Sequence, residues 1–134
     1  MISVLELKNE NMEIEHVRKV LAALVGNVEM HTNFIFCELL ERFQSMLNNH
    51  LKHEARSMYP ALLSSKDRET NMIAKHFLDN THELERLLDK YVKHWCHKLE
   101  GRDVDKFIKE TEEVFMLVDK RIELEEKHLF PVLS

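Results

Sequence analysis

The chain has 134 residues, a formal net charge of −5, 44% hydrophobic and 32% charged residues, which suits one soluble globular domain over residues 1–134 with a single buried core. Only two glycines and two prolines occur, so tight turns are scarce and long helices with short connections are expected. The mixed charges form no basic stripe that would track phosphates, which disfavours direct nucleic-acid binding. No apolar run is long enough to span a membrane and no export signal is expected at the start. Cys37 and Cys96 stand apart in helical text; this usage fits a reducing cytosol, so no structural bridge and a cytoplasmic protein are expected.

Apolar residues recur at helical spacing along the whole chain. Ile14, Val17, Leu21 and Leu24 mark a first helix, broken at Gly26-Asn27. Phe36, Leu39, Phe43 and Met46 mark a second, which leads through His50 and Glu54 to Pro60. Asp67 or Ser65 can cap a third, carrying Ile73, Phe77, Leu84, Leu87, Leu88, Tyr91 and Trp95 up to Gly101. A fourth, with Phe107, Val114, Leu117 or Val118, Arg121 and Glu125, runs to Pro131. The predicted helices cover 4–25, 29–63, 67–99 and 103–130, and short connections make this an all-α, up-down-up-down antiparallel four-helix bundle.

The segments HLKHEARSMYPALL and RIELEEKHLFPVLS are two copies of one signature. Laid together, Glu54 falls on Glu125, Met58 on Leu129, Tyr59 on Phe130 and Pro60 on Pro131. The bundle is therefore two helical hairpins, and their facing ends bring His50 and Glu54 opposite Arg121 and Glu125. A His and a Glu four residues apart project from one helical face and can grip a divalent ion, as pairs on facing helices do in bundle-core metal sites.

With Tyr-Pro after the first pair and the carboxylate repeated as Glu125, the chain resembles the hemerythrin-like, or HHE cation-binding, family. The likeness covers nearly the whole chain as a helical pattern, with its specific motif at residues 50–62 and 121–133. It implies non-haem iron, mononuclear or bridged as a pair by carboxylates, and a role in oxygen, nitric oxide or iron handling. His50, Glu54 and Glu125 match the family's ligands.

Other ligand positions depart from the family. Arg121 stands where the fourth helix carries a His, and a guanidinium cannot donate to a metal. Asn11 takes the spacing of the first-helix His and is a poor iron ligand. His16 lies much nearer the Gly26 break than His50 does, so their levels differ by roughly 20 Å at 1.5 Å per residue. On the third helix His76 and His82 bracket the level of the site. His76, beside the Ile73–Phe77–Asn80 stripe, is favoured over His82, while Thr81 sits at the plain family spacing.

Arg121 also supports a metal-free alternative. Placed between Glu54 and Glu125 it would satisfy both carboxylates and stand in for the cation; if Arg121 points inward and bridges them, the metal reading fails. The segments HVRKVLAALVG, DNTHELERLL and RIELEEKHL are similar to the regulator of sigma D family, four-helix proteins that bind a sigma factor. That resemblance implies a regulatory bundle with a protein partner and no metal, although Tyr-Pro and Phe-Pro depart from it.

Several residues tempt towards chemistry and read more simply as structure. His53 and His128 suit the surface or rim. In the His94-Trp95-Cys96-His97 run Trp95 belongs to the core stripe, and Cys37 fits a core filler. No phosphate-binding loop, nucleophile elbow or Cys-His motif is present, so binding, sensing or storage is expected rather than enzymatic turnover.

Overall fold

The computed structural model describes residues 3–27, 29, 34–96 and 103–133. Those residues are helical throughout, apart from short turns, and contain no strand. Helix α1 spans Val4–Val25, α2 Phe34–Ser57, the short α3 Tyr59–Leu63, α4 Arg68–Cys96 and α5 Val104–Leu124. A π-helical turn, Glu125–Leu129, and a 3₁₀ turn, Phe130–Leu133, follow α5. The predicted stops and starts at 29–33, at 97–99 and at Gly101, and His97 with them, include residues outside the described set.

Local chemistry explains the boundaries. The Ser3 side chain accepts the Glu6 backbone N–H at the start of α1, and Asp103 accepts that of Lys106 at the start of α5, each at 3.2 Å. Asp67 opens α4, accepting the Asn71 N–H through its carbonyl and the Thr70 hydroxyl through its side chain. The second predicted helix is broken before Pro60 rather than ended beyond it. Proline lacks an N–H and its ring crowds the carbonyl four residues back, that of Arg56, so the helix bends at Met58, which keeps its own bonds to the Glu54 carbonyl and from the Leu62 N–H, and the chain continues as α3. This bend turns Tyr59 inward, where it is 2% exposed.

Helix α1 packs on α2 and α5, and α4 packs on α2 and α5, so the four long helices surround one core axis. The core is divided. One apolar cluster, built around Leu21, Leu40, Phe43, Leu88, Trp95, Phe107 and Val118, fills most of the length. A smaller one, with Leu7, Met58, Tyr59, Leu62, Phe77 and Phe130, closes one end. Between them lies a buried polar layer to which each long helix contributes: Asn11, His50 with Glu54, Thr81, and Arg121 followed by Glu125.

The cysteines correct an expectation. Cys37 in the first turns of α2 and Cys96 at the end of α4 form a disulfide, their Cα atoms 5.4 Å apart and 59 residues apart in sequence. Packing of α2 against α4 brings two thiols together that look isolated in the sequence. No helix among the described residues is long and apolar enough to cross a membrane.

Candidate metal centre

The polar layer is organised around Arg121, which is 2% exposed. Its Nε donates to Glu125 Oε2 at 2.7 Å. Nη2 donates to Glu54 Oε2 at 3.1 Å and to the Tyr59 hydroxyl at 2.9 Å. Nη1 donates to the Phe77 carbonyl at 3.0 Å and to Asn80 Oδ1 at 2.9 Å. A guanidinium has five N–H donors, and these five contacts use them all. The Phe77 ring lies beneath, 5.0 Å from the guanidinium carbon. Arg121 therefore points inward and bridges Glu54 and Glu125, as the arginine alternative requires.

His50 occupies the opposite side of the same carboxylates. Its Nε2 lies 2.5 Å from Glu54 Oε1 and 2.9 Å from Glu125 Oε1. Each carboxylate thus gives Oε2 to Arg121 and Oε1 to His50. Glu54 Oε1 is buried, and this ion-pair contact with His50 is what holds it. Asn11 Nδ2 donates to Glu125 Oε1 at 3.0 Å, while Asn11 Oδ1 is buried and unpartnered. The other imidazole nitrogen, Nδ1, meets Glu10 Oε1 at 2.9 Å, and Glu10 Oε2 meets His53 Nδ1 at 2.6 Å.

The electrostatics follow from burial and pairing. Burial alone would lower the His50 pKa, but hydrogen bonds and charge from Glu125 and Glu54 outweigh it and push it up to about 10. Burial, reinforced by neighbouring Glu125, raises Glu54 to about 7. Glu125 resists its own burial and is held well below the usual carboxylate range by its hydrogen bonds with Glu54 and His50 and by the His50 and Arg121 charges. Burial pushes Tyr59 up to about 12, so it stays a neutral donor and acceptor. Without an ion, the Nε2 proton of His50 sits among three donor atoms that a cation would otherwise hold together.

His50, Glu54 and Glu125 form a donor group that could hold a metal ion. His50 Nε2 and one oxygen from each of Glu54 and Glu125 lie within 4.8 Å of one another, and Asn11, whose Oδ1 is buried without a partner, bonds Glu125. The Oε2 side is filled by the guanidinium. The third-helix histidines do not join the site: His76 and His82 are both exposed, whereas Phe77 and Thr81, one turn apart, carry the inward line. A residue next to an inward one on a helix is rotated about 100° away from it. Thr81 spends its hydroxyl on the Phe77 carbonyl at 2.9 Å and meets Tyr59 at 3.5 Å. His16 and His128 are exposed and His53 lies at the rim.

Sequence reasoning missed Glu10 and Asn80 as partners of the layer. Glu10 adjoins Asn11 and faces His53, itself three residues after His50, so the pair carried a usable signal. Asn80 is four residues before Leu84 on the α4 stripe but gave no sign of its target.

A search of curated proteins and a search of solved structures found no match. The family model for the hemerythrin HHE cation binding domain matches residues 2–133, essentially the entire chain. The chain belongs to the hemerythrin HHE cation-binding domain family.

Proposed function

We propose that the polar layer is a one-ion centre, with iron(II) held by His50, Glu54 and Glu125 and with Arg121 as a fixed positive charge in place of a second ion. The division of the carboxylate oxygens carries this reading: Arg121 takes Oε2 of both, and Oε1 of both faces His50 Nε2. The expectation that an inward, bridging Arg121 defeats any metal is narrowed here to a second ion, because the guanidinium takes only Oε2 of each carboxylate and leaves Oε1 of both. One imidazole and two carboxylates suit iron or manganese better than the softer metals. Charge agrees: a divalent ion and Arg121 balance Glu54, Glu125 and Glu10 when His50 is neutral.

Bound iron would offer an open coordination position to oxygen or nitric oxide. The protein's own part is to exclude water from His50, Glu54 and Glu125 with the two apolar clusters. A centre so enclosed admits only very small ligands. With room for a single ion it suits sensing or small-ligand binding better than storage. The apolar clusters meet in opposite order along successive long helices, which supports the up-down-up-down arrangement.

The test is elemental analysis of tag-free protein after anaerobic ferrous reconstitution, with an absorption spectrum in air. One iron per chain, lost in His50→Ala and in Glu54→Ala, is the expected result. The full set of acceptors around Arg121 favours a second reading, a metal-free regulatory bundle that binds a protein partner such as a sigma factor. No bound iron after reconstitution would overturn the one-ion reading and direct the search to a protein partner.

A further inference from the structure

The ligand atoms lie between two apolar clusters, so an ion needs a route to them. Among the described residues, His50, Glu54 and Glu125 are all buried to 1% exposure or less. The Oε2 side is closed by the Arg121 charge, which repels an approaching cation. One face of the layer differs. Glu10 of α1 places one carboxylate oxygen on the buried His50 and the other on His53, and the side chains grade from 40% exposure at His53 through 25% at Glu10 to 1% at His50.

We infer that Glu10 and His53 form an uptake station, where a divalent cation is first captured at the α1–α2 seam before it reaches His50, Glu54 and Glu125. This rests on the one-ion reading above. Captured there, the ion meets an imidazole and a carboxylate, both competent metal donors. Glu10 then connects the outer position to the inner one, because its two oxygens already face both histidines. The negative charge of Glu10 attracts the cation at the point where the layer approaches solvent, and such local fields act on association rates. A groove between α1 and the end of α5, lined by Asn11, Glu15, His16, Lys19 and Glu126, also holds metal donors, but it meets the layer at Asn11, whose uncharged amide bonds Glu125, whereas the Glu10 carboxylate bonds the ligand His50 directly.

Rapid mixing of the anaerobic, metal-free full chain with ferrous ion, quenched at intervals by a chromophoric chelator, measures uptake; chasing loaded protein with the same chelator measures release. Glu10→Gln keeps the shape of the side chain and an acceptor for His50, and should slow uptake at least about tenfold with release little changed. His53→Ala, which leaves the His50 contact intact, should slow uptake several-fold, and both variants should still fill to one iron per chain. Unchanged uptake in both variants would overturn the station and direct the route to the Asn11 groove. Faster release with normal uptake in Glu10→Gln would make Glu10 a positioning residue for His50 and equally overturn it. Wild-type protein that takes up no iron would refute the one-ion reading and the station with it.

Discussion

Removing Arg121 tests the physical core of the structure without reference to any metal. Arg121→Ala deletes five hydrogen bonds and leaves Glu54 and Glu125, both 0% exposed, facing each other across a void with only His50 to balance them. Breaking a buried ion pair by deleting one partner costs about 3–5 kcal/mol, because the remaining charge is left uncompensated. Part of that cost is relieved when Glu54, whose pKa already lies near 7, takes up a proton. The expected loss is therefore about 3 kcal/mol near neutral pH, a large fraction of the roughly 5–15 kcal/mol that holds a domain together. Urea denaturation followed by circular dichroism measures it, since a slope of about 1–3 kcal/mol/M turns the loss into a midpoint shift of a molar or more. Arg121→Lys should recover little, because an ammonium cannot span the two carboxylates, Tyr59, Asn80 and the Phe77 carbonyl at once. A loss below about 1 kcal/mol at unchanged slope would refute the assignment of Arg121 as the cation that holds the layer together.

Arg121→His replaces the blocking cation with a potential ligand and should raise ferrous affinity, read by chelator competition; unchanged affinity would mean the Oε2 side is closed by more than that one residue. Stability of the metal-free protein should depend on pH through His50. Its folded pKa lies above its unfolded value of 6.5, so its contribution is complete below about pH 6.5 and fades as pH rises towards 10; His50→Gln should flatten that fall in a denaturation series from pH 7 to 10. Reduction of the Cys37–Cys96 bridge, or Cys37→Ser, should cost about 4 kcal/mol in a chain-entropy account of the loop it closes, and thiol titration of the unreduced, unfolded protein should find none free. Asn11→Ala removes the hydrogen bond to buried Glu125 and should cost about 1–3 kcal/mol, checked by the same urea titration.

The helices and half of the site were legible because they follow from periodicity. The first helix falls where its apolar spacing predicts, and the recurrence of Glu54 in Glu125 marks the facing carboxylates before any coordinates. What failed depended on rotation and on distant contacts. Counting from turns locates the level of a ligand on α4 but not its direction around the helix, so it points to His76 and His82 although Phe77 and Thr81 face inward. The break at Met58 lies upstream of Pro60 because a proline disrupts the carbonyl four residues before it, not the residues that follow. The disulfide joins residues whose proximity is created by helix packing alone. The π-helical turn that carries Glu125 and donates the Phe130 N–H back to its carbonyl leaves no periodic trace in the sequence either.

The buried polar layer also determines which of many similar packings the chain adopts. Apolar stripes by themselves tolerate sliding of one helix past another, since one leucine replaces the next with little change in energy. A slide of α5 by a single turn, about 5.4 Å, would drive the guanidinium into one of the greasy compartments and separate it from every acceptor it now has. Arg121 thus works as a detent: it penalises misaligned bundles more than it strengthens the aligned one, and it would keep doing so whether or not an ion ever arrives.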